Sequence, residues 1–258
     1  MLTLKDLEMN NYEEYLLDPF NPTTIKQAPL YPDCPLKVLI HGFTGNRSYT
    51  PNMEIRPAYM QYPPPVNMIS VDYGSLVLEE CSYLLATENV PFVSKCVAQF
   101  LDLFFETRTD VPFDHLHVIG MSLGAQVSGQ IKRHLKIGKI PRITGLDAAM
   151  PLFFSHVQSD TKYLNKGDAV VIDCIHTNAG EKGKLLPYAN IDFYANGGHH
   201  QPHCHKNSSC DHAASAVFYA ESINSPVGFW GRNKEAHGTY WFVTNKEPPY
   251  AEGFAGGG

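Results

Sequence analysis

The sequence predicts an α/β chain with a mostly parallel central sheet and helices on both faces. Three observations predict it. Apolar, often β-branched runs of strand length recur along the chain, stretches with helical spacing separate them, and several runs stop at Gly, Asp or His. Strands alternating with helices require crossover connections, and crossovers make neighbouring strands parallel. The strand-length runs are Leu36–Ile40, Asn67–Val71, His115–Ile119, Arg142–Leu146 and Ala169–Ile175. Between them, Val93, Cys96, Val97, Phe100, Leu101 and Phe104 recur with the period of an amphipathic helix. Residues 122–135 are compatible with a second helix, and 211–223 with a third that Asp211 is placed to cap.

At 258 residues with 43% hydrophobic and 18% charged side chains, the chain can bury a large core without staples. Residues 1–35 are Pro- and Asn-rich and are expected to lead in along the surface. Residues 36–250 read as one domain, with 251–258 a flexible, glycine-ending tail. The formal charge of −6, without a Lys/Arg run, argues against a nucleic-acid groove or polybasic membrane patch. No apolar stretch is long enough to predict a membrane span.

The run His115–Ile119 leads directly into Gly120-Met121-Ser122-Leu123-Gly124 and then into a helix. A five-residue G-x-S-x-G match is weak alone, but strand, sharp turn and helix are the context that its chemistry requires. The turn needs small residues on either side, and it lifts Ser122 to the carboxyl edge of the sheet. The positive end of the following helix favours an anion developing there. The bland reading is a tight glycine turn with a solvated serine, which the strand–turn–helix order disfavours.

A serine hydroxyl needs a base, and the base needs an orienting carboxylate. Asp147 ends the run Arg142–Leu146 and is the sole acid between Ser122 and Asp160. Asp168, Asp173 and Asp192 are its competitors. The base is less determined: His156, His176, His199, His200, His203, His205, His212 and His237 all follow Asp147. A base on a loop just before a helix can reach back over the sheet edge, which favours His212 and the 199–205 group without choosing between them.

Further runs add to this pattern. They are Val38-Leu39-Ile40-His41-Gly42-Phe43-Thr44-Gly45, Ile69-Ser70-Val71-Asp72-Tyr73, the Val118–Gly129 stretch around Ser122, and Ile143–Phe153 around Asp147. Ile175-His176-Thr177-Asn178-Ala179-Gly180, Asp192–Gly198 and Cys210-Asp211-His212 follow in order. Together they resemble the pancreatic-lipase family of α/β-hydrolases, in particular its small insect lipases and the wasp-venom type of phospholipase A1. The resemblance covers residues 36–250 and implies the α/β-hydrolase fold. It implies Ser122 as nucleophile, Asp147 as acid and His212 as base. The backbone N–H groups of Phe43 and Leu123 would form the oxyanion hole, each worth about 3 kcal/mol of barrier. It also implies a Cys204–Cys210 disulfide, no cofactor, and a secreted enzyme touching glycerolipid only peripherally at a lipid–water interface. The rival expectation is an inactive lipid-binding or yolk-type protein on the same fold.

The chain also departs from the family. Cys204 and Cys210 enclose five residues where pancreatic lipase carries a long lid, and fifteen residues separate His176 from Asp192. The resemblance therefore implies a site with little cover, and activity on phospholipid sn-1 esters or simple esters as readily as on triacylglycerol. The family's C-terminal β-sandwich has no counterpart here, so no colipase partner is expected. Cys34, Cys81, Cys96 and Cys174 remain for one further bridge or two, although Cys174 beside His176 reads as a buried thiol. The polar start lacks the apolar core of an export signal, which suggests a truncated or alternative form of a secreted protein.

The His- and Cys-rich run 199–205 suggests a metal cluster, but a bridged Cys204 would remove its softest ligand, and no metal site is expected. Asn46-Arg47-Ser48 and Asn207-Ser208-Ser209 are glycosylation sequons. Trp230, Trp241, Phe153 and Phe154 read as core or acyl-groove residues, with the core preferred.

Overall fold

The computed structural model of the chain describes residues 2–8, 11–61, 64–77, 81–153, 162–224 and 237–250. The 251–258 tail, Phe154, His156 and Trp230 lie outside the described residues. An N-terminal hairpin, β1 (Leu2–Glu8) and β2 (Asn11–Leu16), precedes helix α1 (Pro22–Gln27). Next come β3 (Leu36–Ile40), α2 (Asn52–Met60), β4 (Asn67–Val71), α3 (Tyr83–Thr107), β5 (Leu116–Met121) and α4 (Leu123–Gln130). The chain continues through β6 (Arg142–Leu146), β7 (Val171–His176), β8 (Ile191–Ala195), α5 (Ser208–Asn224) and β9 (Gly238–Phe242).

The strands form one sheet in the order β2-β1-β4-β3-β5-β6-β7-β8-β9. From β4 to β9 all neighbours are parallel, so seven strands make the predicted parallel sheet, and the β1–β2 hairpin joins its edge antiparallel. The segment expected to lead in along the surface thus contributes two strands. Successive strand residues point to opposite faces. Val38, Ile40, Val118 and Ile143 pack with α1, α3 and α4, while Leu39, Ile119, Leu146 and Ile175 pack with α2 and α5. Because both faces are covered, the central strands read as continuous apolar runs and not as alternating ones.

Helix α3 starts where Ser82 Oγ accepts the Leu85 N–H at 3.3 Å, and it buries Val93, Val97, Phe100, Leu101 and Phe104, as their spacing predicts. Asp211 does not cap α5. It is fully buried inside the first turn, and Asn207 takes the capping bond instead, its Oδ1 accepting the Cys210 N–H at 3.0 Å. Trp241 corrects a second expectation. It lies 69% exposed on edge strand β9, stacked at 5.8 Å on Tyr194, whereas Phe153 is in the core.

Cys204 and Cys210 are joined by a disulfide. The further bridges expected among the other cysteines do not form: Cys34, Cys81, Cys96 and Cys174 are free thiols. Cys174 is sealed inside β7, where burial pushes its pKa up, while Cys96 lies on the exposed side of α3. No helix among the described residues is long and apolar enough to cross a membrane.

Candidate active site

Strand order brings the candidate residues together. Met121 of β5 pairs with Leu146 of β6, and Leu146 pairs with Ile175 of β7. Ser122 and Asp147, each one residue further on, therefore leave the same edge from adjacent strands. Their amides continue the ladder: Ser122 N–H donates to the Leu146 carbonyl at 2.9 Å, and Asp147 N–H to that of Ile175 at 2.8 Å. On the other side of β5, the loop after β3 begins at His41.

Ser122 adopts φ 56° and ψ −120°, outside the regions an L-residue prefers, and α4 starts immediately after it. The two glycines of the motif make this turn possible. A methyl group at Gly120 would collide with the Gly124 carbonyl and Ser128, and one at Gly124 with the Ile40 and His41 carbonyls. A Cβ on Gly42 would lie 3.0 Å from Ser122 Cβ, so the His41-Gly42-Phe43 backbone passes directly beside the serine. Leu123 occupies the first position of α4, where an N–H has no partner within the helix.

The loop beside Ser122 is held rigidly. His41 is fully buried, stacked at 4.2 Å on Tyr73. Its Nδ1–H donates to the Gly42 carbonyl at 2.9 Å, which leaves Nε2 to accept the Tyr73 N–H at 3.2 Å. The Tyr73 hydroxyl donates to the His41 carbonyl, and Phe43 meets Tyr83 edge-on at 5.2 Å. Nearby, the Gly74 N–H donates to Asp72 Oδ1 at 3.0 Å and Arg47 Nη1 to its Oδ2 at 3.2 Å, which holds the Asp72 carboxylate in place.

Asp147 is fully buried, and each of its oxygens is engaged. Oδ1 accepts the N–H groups of Thr177 at 2.8 Å and Asn178 at 3.1 Å, while Oδ2 lies 2.6 Å from His212 Nδ1. Four acceptor directions on a carboxylate suit this arrangement. Gly183 lies over the acid so closely that a methyl group there would overlap the carboxylate. No described residue hydrogen-bonds His212 Nε2. A serine, a histidine with a committed Nδ1 and an open Nε2, and a buried orienting acid are the parts of a nucleophilic site.

Each competitor acid has a different partner. Asp173 pairs with Arg142 at 2.6 Å and accepts the Thr144 hydroxyl, Asp168 pairs with Lys132 at 2.5 Å, and Asp192 holds His176 at 2.9 Å. Among the histidines, His200 bonds Asp211 at 2.9 Å, and the His203 ring meets Tyr250 at a tilt, with centroids 4.7 Å apart. His203, Cys204 and Cys210 offer ligand atoms within 4.8 Å of one another, but both sulfurs are spent in the disulfide.

Sequence reasoning did not single out Asn178. Besides its backbone bond to Asp147, its Oδ1 accepts the Ser208 hydroxyl at 3.0 Å and the Lys182 N–H at 3.1 Å. It thereby ties the acid, the 177–184 loop and the start of the helix bearing His212. The one available signal was its place two residues after His176, which spacing alone does not make informative.

Residues 2–240 match the profile of the family described as Lipase. The chain belongs to that family. A pancreatic triacylglycerol lipase of Cavia porcellus is 30% identical over 95% of this chain and 55% of its own length. Phospholipase A1 member A of Rattus norvegicus is 34% identical over 73% of this chain and 41% of its own. An inactive pancreatic lipase-related protein 1 of Homo sapiens is 32% identical over 85% and 50%. The chain spans about half the length of the curated relatives it matches.

Proposed function

We propose that this lipase-family chain is a secreted serine carboxylic-ester hydrolase acting on glycerolipid acyl esters, through Ser122, His212 and Asp147. The carrying observation is the buried Asp147–His212 contact at 2.6 Å, beside a strained serine leaving the adjacent strand. Ser122 Oγ attacks the ester carbonyl while His212 Nε2 takes its proton. Asp147 fixes the ring orientation and stabilises the imidazolium that forms. The Phe43 and Leu123 N–H groups receive the oxyanion. The proton then passes to the leaving alcohol, and water repeats the sequence on the acyl-enzyme.

The short loops support phospholipid sn-1 and simple esters as substrates alongside triacylglycerol, and relatives named for both lipid classes fit that breadth. The Cys204–Cys210 disulfide supports an oxidising destination. A second reading, an inactive lipid binder, draws on the relative named as inactive, since membership of a fold family does not guarantee chemistry. Fluorophosphonate labelling separates the two. Folded wild type takes one label that Ser122→Ala abolishes, whereas absence of label on correctly folded wild type defeats the hydrolase reading.

A further inference from the structure

We propose that Asn207 carries an N-linked glycan standing at the histidine side of the active-site mouth; this rests on the secretory reading above. Both sequons were legible in the sequence, and the structure distinguishes them. Asn207 is exposed within the loop that the Cys204–Cys210 disulfide closes. Asn46 is half-buried, with its Cβ 3.5 Å from where a methyl group on Gly74 would lie, on the loop that follows the candidate oxyanion residues.

The bonding of Asn207 suits modification without loss of structure. Its Oδ1 caps α5 through Cys210 N–H at 3.0 Å, and its backbone bonds Cys204 and Asp211. Among the described residues nothing bonds Nδ2, the atom that the reaction uses. A lipid-pyrophosphate-linked oligosaccharide is the donor. The bond from its anomeric carbon to pyrophosphate oxygen breaks, the carbon–Nδ2 bond forms, Nδ2 loses one proton to a base, and lipid pyrophosphate leaves. The amide oxygen stays an acceptor, so the cap survives the modification.

The glycan's base is also fixed in place. Ser208 Oγ donates to Asn178 Oδ1 at 3.0 Å, and Lys182 Nζ donates to Ser209 Oγ at 2.6 Å. These bonds pin the loop to the 177–184 segment, five residues ahead of His212.

The test expresses the full chain behind an added export signal in insect cells. The purified protein is deglycosylated with a peptide-N-glycosidase in heavy-oxygen water and mapped by mass spectrometry. The expected result is heavy-oxygen Asp at position 207, lost in Ser209→Ala. Asn207→Asp, which keeps an acceptor for the cap, should migrate as the deglycosylated wild type. Unmodified Asn207 in the folded, secreted protein, or label at Asn46 alone, overturns the proposal. Fluorophosphonate labelling of the same preparation before deglycosylation reports Ser122 separately, so failure of the glycan and failure of the hydrolase reading are distinguishable.

Discussion

Two buried carboxylate–histidine pairs adjoin through Thr177, which follows His176 and bonds Asp147, and each joins one Asp to one His. In Asp192–His176, both ring nitrogens are committed: Nδ1–H donates to the Lys184 carbonyl at 3.0 Å and Nε2–H to Asp192 at 2.9 Å. The ring is wholly buried, parallel to Tyr194 at 4.1 Å, and Asp192 also accepts the Tyr188 and Ala189 N–H groups. Both ring nitrogens are taken up inside the fold, so this is a closed, structural pair. In Asp147–His212, Nδ1 is held and no described residue hydrogen-bonds Nε2. The composition of the two sites is therefore uninformative, and what separates them is whether the second nitrogen has work inside the fold.

Exchanging damage between the two pairs should break catalysis at one and folding at the other. His212→Ala and Asp147→Asn should each lower kcat by roughly 10⁴-fold with little change in Tm. His176→Ala strands a buried Asp192 and should cost about 3–5 kcal/mol of stability, with near-normal turnover per folded molecule. Denaturant titration alongside active-site counting reads both. A His176 variant that is fully folded and inactive would overturn the comparison.

Asn178 sharpens it. Asn178→Ala should loosen the start of α5 relative to Asp147 and lower kcat about tenfold or somewhat more, with KM nearly unchanged. Asn178→Asp restores the Ser208 contact but not the side-chain donors, so partial rescue of kcat in its pH profile would mark positioning and not mere stability.

The smallest effect belongs to the opposite end of the sheet. There burial, reinforced by Arg142 and opposed by Asp173, lowers the Lys37 pKa to about 8. His117, kept neutral by burial, donates to Thr144 Oγ1 at 2.7 Å. Below about pH 8, Lys37 is charged in both states and native burial opposes that charge. From about pH 8 to the unfolded value of 10.5, the unfolded chain binds more protons, so the Lys37 contribution to stability rises with pH. Lys37→Met should then stabilise the protein by on the order of 1 kcal/mol near neutrality, the partial exposure of the lysine limiting the gain. That gain should shrink as pH approaches about 10, and thermal melts at the two pH values check it.

How legible this was depended on what each segment does. Leu36–Ile40, Asn67–Val71 and Arg142–Leu146 form strands to the residue as read, because a parallel strand covered on both faces must be apolar throughout. Ile191–Ala195 escaped notice because Asp192 interrupts it, and its polar demand is met by His176 and two amides that no local pattern reveals. Gly238–Phe242 is an edge strand with Tyr240 and Trp241 exposed, so its apolarity misleads. At the site, Ser122 and Asp147 follow from strand ends and chain order. The histidine does not, because the contact to Asp147 spans 65 positions and several rings compete for it.

The turn at Ser122 has a further consequence, for the direction in which such a chain drifts. Its positive φ holds about 1–3 kcal/mol of strain that glycine would not feel. Ser122→Gly should accordingly raise Tm while eliminating hydrolysis, whereas most substitutions at buried sites lower it. On the proposed mechanism, the nucleophile thus stands on a thermodynamic slope leading toward silence. If Ser122 is the nucleophile as proposed, then once selection for turnover lapses, mutation at this position moves downhill to a sturdier, inert protein.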